Sequence, residues 1–228
     1  MIKLISLHIA KTAGTAFFGL LGREYGSQLD HRFKRIHYFP DGIERQLDSA
    51  DFASETTVVH GHLYFSHISR IYQQNQPRLI CWLRQPVDRV ISNYYFMHRA
   101  INGRPDHPHA FKKNYSLMDY AEDSIHNKMC TYLEGISLEK LDFVGFQENF
   151  QQDVIALAKL LNWEKPLLIE AVNQRSYEND NIFYPTSFGQ ITQEMRSEIA
   201  RINALDMALF AEAEELKRKG YWEQKSLK

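Results

Sequence analysis

The chain has 228 residues with 27 basic and 28 acidic side chains, a formal charge of -1 with its 10 histidines neutral. That length buries a substantial core in a single domain, and the charge balance argues against non-specific nucleic-acid binding. The cysteines, Cys81 and Cys130, lie in apolar surroundings far apart and without metal-site spacing, as expected of reduced core or near-core thiols. No N-terminal apolar stretch is long enough for a signal peptide or membrane span, so the expected location is cytoplasmic.

Leu4-Ile5-Ser6-Leu7 reads as a buried strand, and Ala16 to Leu21 as the start of a helix. The loop between them, His8-Ile9-Ala10-Lys11-Thr12-Ala13-Gly14-Thr15, brings an ammonium and two hydroxyls to a helix start. Such a start holds unpaired amides and the positive end of the peptide dipoles, so it can hold an anion. The common nucleotide loop puts its glycines ahead of the Lys-Ser/Thr pair; here Lys11-Thr12 precedes the single glycine. Residues 26–50 are mixed and polar, with a helix expected near Asp41 to Ser49. A second strand, Thr56 to Val59, ends at His60-Gly61-His62, and residues 66–75 read as helical.

Arg78 to Leu83 is almost uniformly apolar after its first residue, as in a strand covered on both faces. It ends at Arg84-Gln85-Pro86, where Pro86 suits a first helical turn, and that helix is expected to reach Ala100. Asn102 to Asn114 is a loop, with Gly103, Pro105 and Pro108 as breakers. One helix is expected from Ser116 to Leu133, then a strand from Leu141 to Phe146 and a helix from Gln147 to Leu161. Polar loop sequence fills Asn173 to Gln190, and one long helix covers Thr192 to Lys219. Alternating strands and helices predict an α/β fold with a parallel sheet and helices on both faces. Ligands gather at the carboxyl ends of such strands. Lys11-Thr12, His60-Gly61-His62 and Arg84 all fall there.

These phrases resemble sulfotransferases that use 3'-phosphoadenosine 5'-phosphosulfate (PAPS). The loop at Lys11 resembles that family's 5'-phosphosulfate loop, and Leu83 to Tyr95 its 3'-phosphate segment. His60-Gly61-His62 is similar to the histidine pair of carbohydrate sulfotransferases of the heparan sulfate 2-O-sulfotransferase type. Similarity continues through Phe143 to Phe150 and Ile202-Asn203-Ala204-Leu205-Asp206. The resemblance implies one P-loop-like, three-layer sulfotransferase domain over residues 1–228, with a substrate-facing insertion around 98–120.

It also implies roles. Lys11 stabilises the bridging oxygen as the S–O bond breaks, and Thr12, Ala13, Gly14 and Thr15 cradle the 5'-phosphate. Arg84 and Ser92 take the 3'-phosphate, with Arg175 and Ser187 as late-loop candidates and Tyr184 to Gly189 as a covering loop. His60 and His62 lie at the reactive centre; His62 is favoured as base and His60 as its partner, and the choice between them stays open. Asn127 and Tyr132 line the acceptor or adenine side, or simply pack. Arg89 is a surface or pairing residue. No third ligand accompanies the two histidines at zinc-like spacing, so no metal is expected. The acceptor is a hydroxyl on a carbohydrate or glycoconjugate, with Arg99, Arg104, Lys112 and Lys113 as a positive rim. A small-molecule P-loop kinase and a noncatalytic PAPS-binding protein are the alternatives. Oligomeric state stays open.

Overall fold

In the computed structural model, which describes residues 1–33, 44–123, 126–163 and 190–225, the apolar runs form parallel strands. These are β1 (Leu4–Leu7), β2 (Leu29–Asp30), β3 (Val58–Gly61), β4 (Arg78–Leu83) and β5 (Phe143–Phe146), ordered β2-β3-β1-β4-β5. Every residue of β1, β3 and β5 is buried, and β4 exposes only Arg78. Helices cover both faces, giving the expected three-layer sandwich. The chain leaves β1 toward β2 and β3 and returns on its other side as β4. The carboxyl ends of β1, β3 and β4 therefore meet where the strand order reverses, the usual ligand crevice of an open α/β sheet.

Helices α1 (Gly14–Tyr25), α2 (Phe65–Asn75) and α3 (Pro86–Ile101) follow β1, β3 and β4. After β5, a 3-10 turn at Gln147–Asn149 leads into α6 (Phe150–Leu160), so only the latter part of the expected Gln147 to Leu161 helix is α-helical. Gly145 leaves room for the Trp82 indole, since a Cβ there would fall 2.4 Å from the ring.

Four further elements differ from expectation. Residues 44–48 of the helix expected near Asp41 to Ser49 have no regular structure; a 3-10 turn at Ser49–Asp51 follows, closed by reciprocal Asp48 and Asp51 bonds. Residues 41–43 lie outside the described residues. The short strand β2 sits in sequence read only as mixed and polar. The Ser116 to Leu133 stretch is two helices, α4 (Leu117–Glu122) and α5 (Lys128–Tyr132). The final stretch is also two, α7 (Gln193–Ile202) and α8 (Ala204–Arg218), followed by a short α9 (Tyr221–Lys225).

One network explains both breaks. Asn127 takes a left-handed backbone (φ 50°), and its amide donates to Asn203 Oδ1 at 3.0 Å. Asn127 Oδ1 accepts from the amides of Leu205 and Asp206, both at 3.1 Å. Asp206 in turn accepts from the amides of Met129 and Cys130 at 3.1 and 2.9 Å. Side chains from each segment thus cap the other, a long-range match that propensity does not register. Arg89, a surface or pairing residue by sequence, is fully buried and pairs with the equally buried Asp206 at 3.6 Å. Removing one member of such a pair typically costs about 3–5 kcal/mol.

α3, α4 and α7 enclose a second apolar cluster that includes Val87, Ile91, Tyr94, Leu117, Tyr120 and Ile199. Both thiols are free, Cys81 buried and Cys130 partly so. Among the described residues no helix is long and apolar enough to cross a membrane.

Candidate active site

The histidine side of the crevice is set by strand register. Ser6 lies opposite His60 and Leu7 opposite Gly61, so Gly61 is a strand residue rather than a turn. A Cβ at Gly61 would fall 2.6 Å from Phe33 Cβ, and the His62 amide donates to the Phe33 carbonyl at 2.8 Å; glycine admits that close approach. His60 is buried, with Nδ1 hydrogen-bonded to Ser6 Oγ at 3.0 Å. His62 is partly exposed, with Nδ1 at 2.7 Å from the His8 carbonyl and 3.1 Å from Tyr132 Oη.

His8, to which the sequence assigns no role beyond opening the Lys11 loop, stacks on both. Its ring lies 4.0 Å from that of His62 and 4.9 Å from that of His60, at interplanar angles of 20° and 18°. A Cβ on Gly14 would fall 1.7 Å from His8 Nε2, so glycine opens α1 to make room for this ring. The signals in the sequence were Ser6, a lone polar residue in an apolar strand, and the matching two-residue spacings Ser6/His8 and His60/His62. Stacked imidazoles do not converge on a point. Among the described residues, no group of three or more His, Cys, Asp or Glu is arranged to hold a metal ion.

Burial makes this side neutral. His60 is pushed down to about 3, by burial first and then by neighbouring His62. Burial, followed by His62, His60 and Lys11, lowers His8; burial also lowers His62, against the His8 carbonyl. A carbonyl oxygen only accepts, so the 2.7 Å contact puts the His62 proton on Nδ1. The lone pair of neutral His62 is therefore on Nε2.

The cation side is built by the loop after β1 and by α3. Lys11 (φ 72°) and Ala13 (φ 73°) both take left-handed backbone, which turns the loop tightly into α1. Among the described residues no side chain caps α1, and its first turn holds no acid, so its amides remain suited to an anion. Thr15 is exposed on that first turn. Thr12, expected to offer its hydroxyl to phosphate, is buried and donates it to the Ile9 carbonyl at 2.8 Å, closing the loop on itself.

Arg84 Nη1 donates to the Lys11 carbonyl at 3.4 Å, joining the ends of β1 and β4. Gln85 caps α3 by accepting from the Asp88 amide at 2.9 Å, and its own amide donates to Glu148 at 2.8 Å. Ser92 is buried on α3, and Lys11 Nζ sits 4.3 Å from the centroid of the exposed Phe96 ring. The spacing of Ser92, Phe96 and Arg99 gives them one side of that helix. Burial, then Arg99, then Arg84 lower Lys11 to about 8.

The crevice thus brings together Lys11, Thr12, Ala13, Gly14, Thr15, Arg84, His60 and His62, with Ser92 on the adjoining helix. Its uncapped amides and convergent cations suit the phosphate groups of a nucleotide donor. Arg175 and Ser187, with Asn173, Ser176 and the covering loop at Tyr184 to Gly189, lie outside the described residues. Of the expected rim, Lys112 is partly buried and paired with Asp123, whereas Arg104 and Lys113 are exposed.

No curated protein sequence matches the chain. Solved structures that share the fold include two sulfotransferases. Mouse sulfotransferase SULT7A1 complexed with PAP is 13% identical, at a TM-score of 0.54, over 93% of this chain and 89% of that one. A sulfotransferase from Alicyclobacillus acidocaldarius is 17% identical, at a TM-score of 0.50, over 95% of each chain. Residues 2–211 match the model of the sulfotransferase family, and the chain belongs to that family.

Proposed function

We propose that the protein transfers a sulfuryl group directly from PAPS to a hydroxyl of a carbohydrate or glycoconjugate, with His62 as the base. Family membership supports sulfotransferase activity with a PAPS-type donor in general. The observation that carries the finer reading is the 2.7 Å bond from His62 Nδ1 to the His8 carbonyl, which leaves the lone pair of the neutral ring on Nε2. The His8 carbonyl that holds the base and the Lys11 ammonium lie in one loop, so a single short segment orients His62 and presents the cation.

The bound donor supplies the sulfuryl group and departs as 3'-phosphoadenosine 5'-phosphate. His62 Nε2 removes the acceptor proton, and the His8 carbonyl steadies the imidazolium that forms. Lys11, with the amides at the start of α1, stabilises negative charge on the leaving side. Thr12 holds the loop in shape through Ile9, while Ala13, Gly14 and Thr15 present amides and the Thr15 hydroxyl to the 5'-phosphate. Arg84 and Ser92 receive the 3'-phosphate, and Arg175 and Ser187 belong to the same pocket by resemblance. His60, buried and bonded to Ser6, keeps the stack in register.

The whole of residues 1–228 acts as one domain, with residues 98–120 facing the acceptor. Arg99, Arg104 and Lys113 form the positive rim there. Calorimetry on the full chain tests the reading. 3'-Phosphoadenosine 5'-phosphate should bind in preference to ATP with magnesium, and Arg84→Ala, still folded, should lose that preference. Preference for ATP would favour a kinase. Nucleotide binding with no transfer to any hydroxyl, across a panel of saccharides, would favour a noncatalytic binder.

A further inference from the structure

Tyr132 is completely buried at the end of α5, and its hydroxyl lies 3.1 Å from His62 Nδ1. Because the Nδ1 proton points at the His8 carbonyl, the Tyr132 oxygen is its second acceptor and not its donor. We infer that Tyr132 is a positioning residue for the base, its oxygen sharing the His62 Nδ1 proton with the His8 carbonyl so that the imidazolium formed during transfer is oriented and stabilised. This inference rests on the reading of His62 as base.

The seat of Tyr132 is fixed from a distance. Its ring meets Tyr64 edge-on at 4.9 Å. Helix α5 hangs by the amides of Met129 and Cys130 from Asp206, the partner of buried Arg89 on α3. The helix that carries Ser92 and begins just after Arg84 is therefore tied, through one carboxylate, to the helix that touches the base. Titratable neighbours of His62 are His8 from the β1 loop, His60 on its own strand and Tyr132 from α5. Lys11 acts on His8, and Tyr64 and then Arg89 act on Tyr132. Burial raises the Tyr132 phenol well above its ordinary value, so it stays protonated through the working range.

When His62 takes a proton at Nε2, its Nδ1–H becomes charge-assisted and both acceptors gain strength. Removing only the Tyr132 oxygen should therefore lower the proton affinity of His62. The test is Tyr132→Phe in the full chain, with isotope-labelled histidine NMR and pH–rate profiles for PAPS turnover. His62 is assigned by the signal missing in His62→Gln, and Tyr120→Phe serves as control because that buried hydroxyl has no hydrogen-bond partner among the described residues.

In Tyr132→Phe, the His62 titration should fall by about half a pH unit or more, and kcat by about three- to tenfold, with the donor KM unchanged. Tyr120→Phe should titrate as wild type. An unshifted His62 titration in folded Tyr132→Phe would overturn the role of Tyr132. Full turnover by His62→Gln would instead overturn the reading beneath it, whatever Tyr132→Phe does to the titration.

Discussion

The two sides of the crevice handle charge in opposite ways. At the ends of β1 and β3, burial strips charge from three imidazoles; at the β1 loop and α3, cations are gathered within reach of one another. Sheet geometry accounts for the first. Ser6, His8, His60 and His62 follow strand alternation, so their rings stack where the desolvation cost of protonation is high. The second is a loop and helix construction, in which left-handed Lys11 and Ala13 bend the chain and Arg84 crosses to the Lys11 carbonyl. A base must be neutral before it acts, whereas groups that receive phosphate must be charged. The loop after β1 serves both needs, because its His8 carbonyl holds neutral His62 while its Lys11 supplies the charge.

Removing one member from each side should separate the two tasks. His62→Gln should lower kcat by about 10²–10⁴-fold, the usual worth of a positioned base, and leave affinity for 3'-phosphoadenosine 5'-phosphate unchanged. Lys11→Ala should lower kcat by about 10²–10³-fold, as for loss of one preorganised charge-stabilising donor, and should weaken nucleotide binding too. Steady-state kinetics and calorimetry on folded variants distinguish the patterns. If His62→Gln lost nucleotide affinity as severely as Lys11→Ala, the division of labour between the two sides would fail.

The contrast also explains what the sequence made legible. The β4 run from Arg78 to Leu83 ends at Arg84 as read, because apolar runs, breakers and strand-end chemistry are local signals. Lys11, His60 and His62 stood out for the same reason. His8 did not, because its role comes from a stack that forms only when β1 and β3 pair in register. Nor does the sequence show that the Thr12 hydroxyl proton goes to the Ile9 carbonyl, a choice made by loop curvature. The breaks at Asn127 and Asn203 were invisible because each residue completes bonds in a segment more than seventy positions away.

Neutral burial of the imidazoles should leave a trace in stability. His60 has a folded value of about 3 against an ordinary value of 6.5, so the unfolded chain binds its proton first as pH falls. Stability is then full above 6.5 and declines below it, by about 1.4 kcal/mol per pH unit from this residue, until roughly pH 3. His8 and His62, also lowered, add to the decline over its upper part. Urea unfolding at pH 7.5 and pH 5.5 should give the steeper loss in wild type and a shallower one in His60→Asn. An equal loss in both proteins would mean that His60 is not held neutral by the fold.

The cation side predicts a smaller effect of the opposite sense. Turnover needs His62 neutral and Lys11 charged, so kcat/KM for the donor should rise through an acid limb below 6.5 and fall through a basic limb near 8. kcat/KM is the appropriate measure because it reports the free enzyme, before an anionic donor raises the affinity of Lys11 for its proton. After burial, Arg99 is the next cause of the lowered Lys11 value. Arg99→Gln removes that repulsion, favours the ammonium, and should move the basic limb upward by less than about one pH unit while leaving the acid limb in place. A shift of both limbs together would mean that the imidazoles and the cations titrate as one coupled group. A fixed basic limb would mean that burial and Arg84 depress Lys11 without Arg99, which is then held too far away or too well hydrated to act on it.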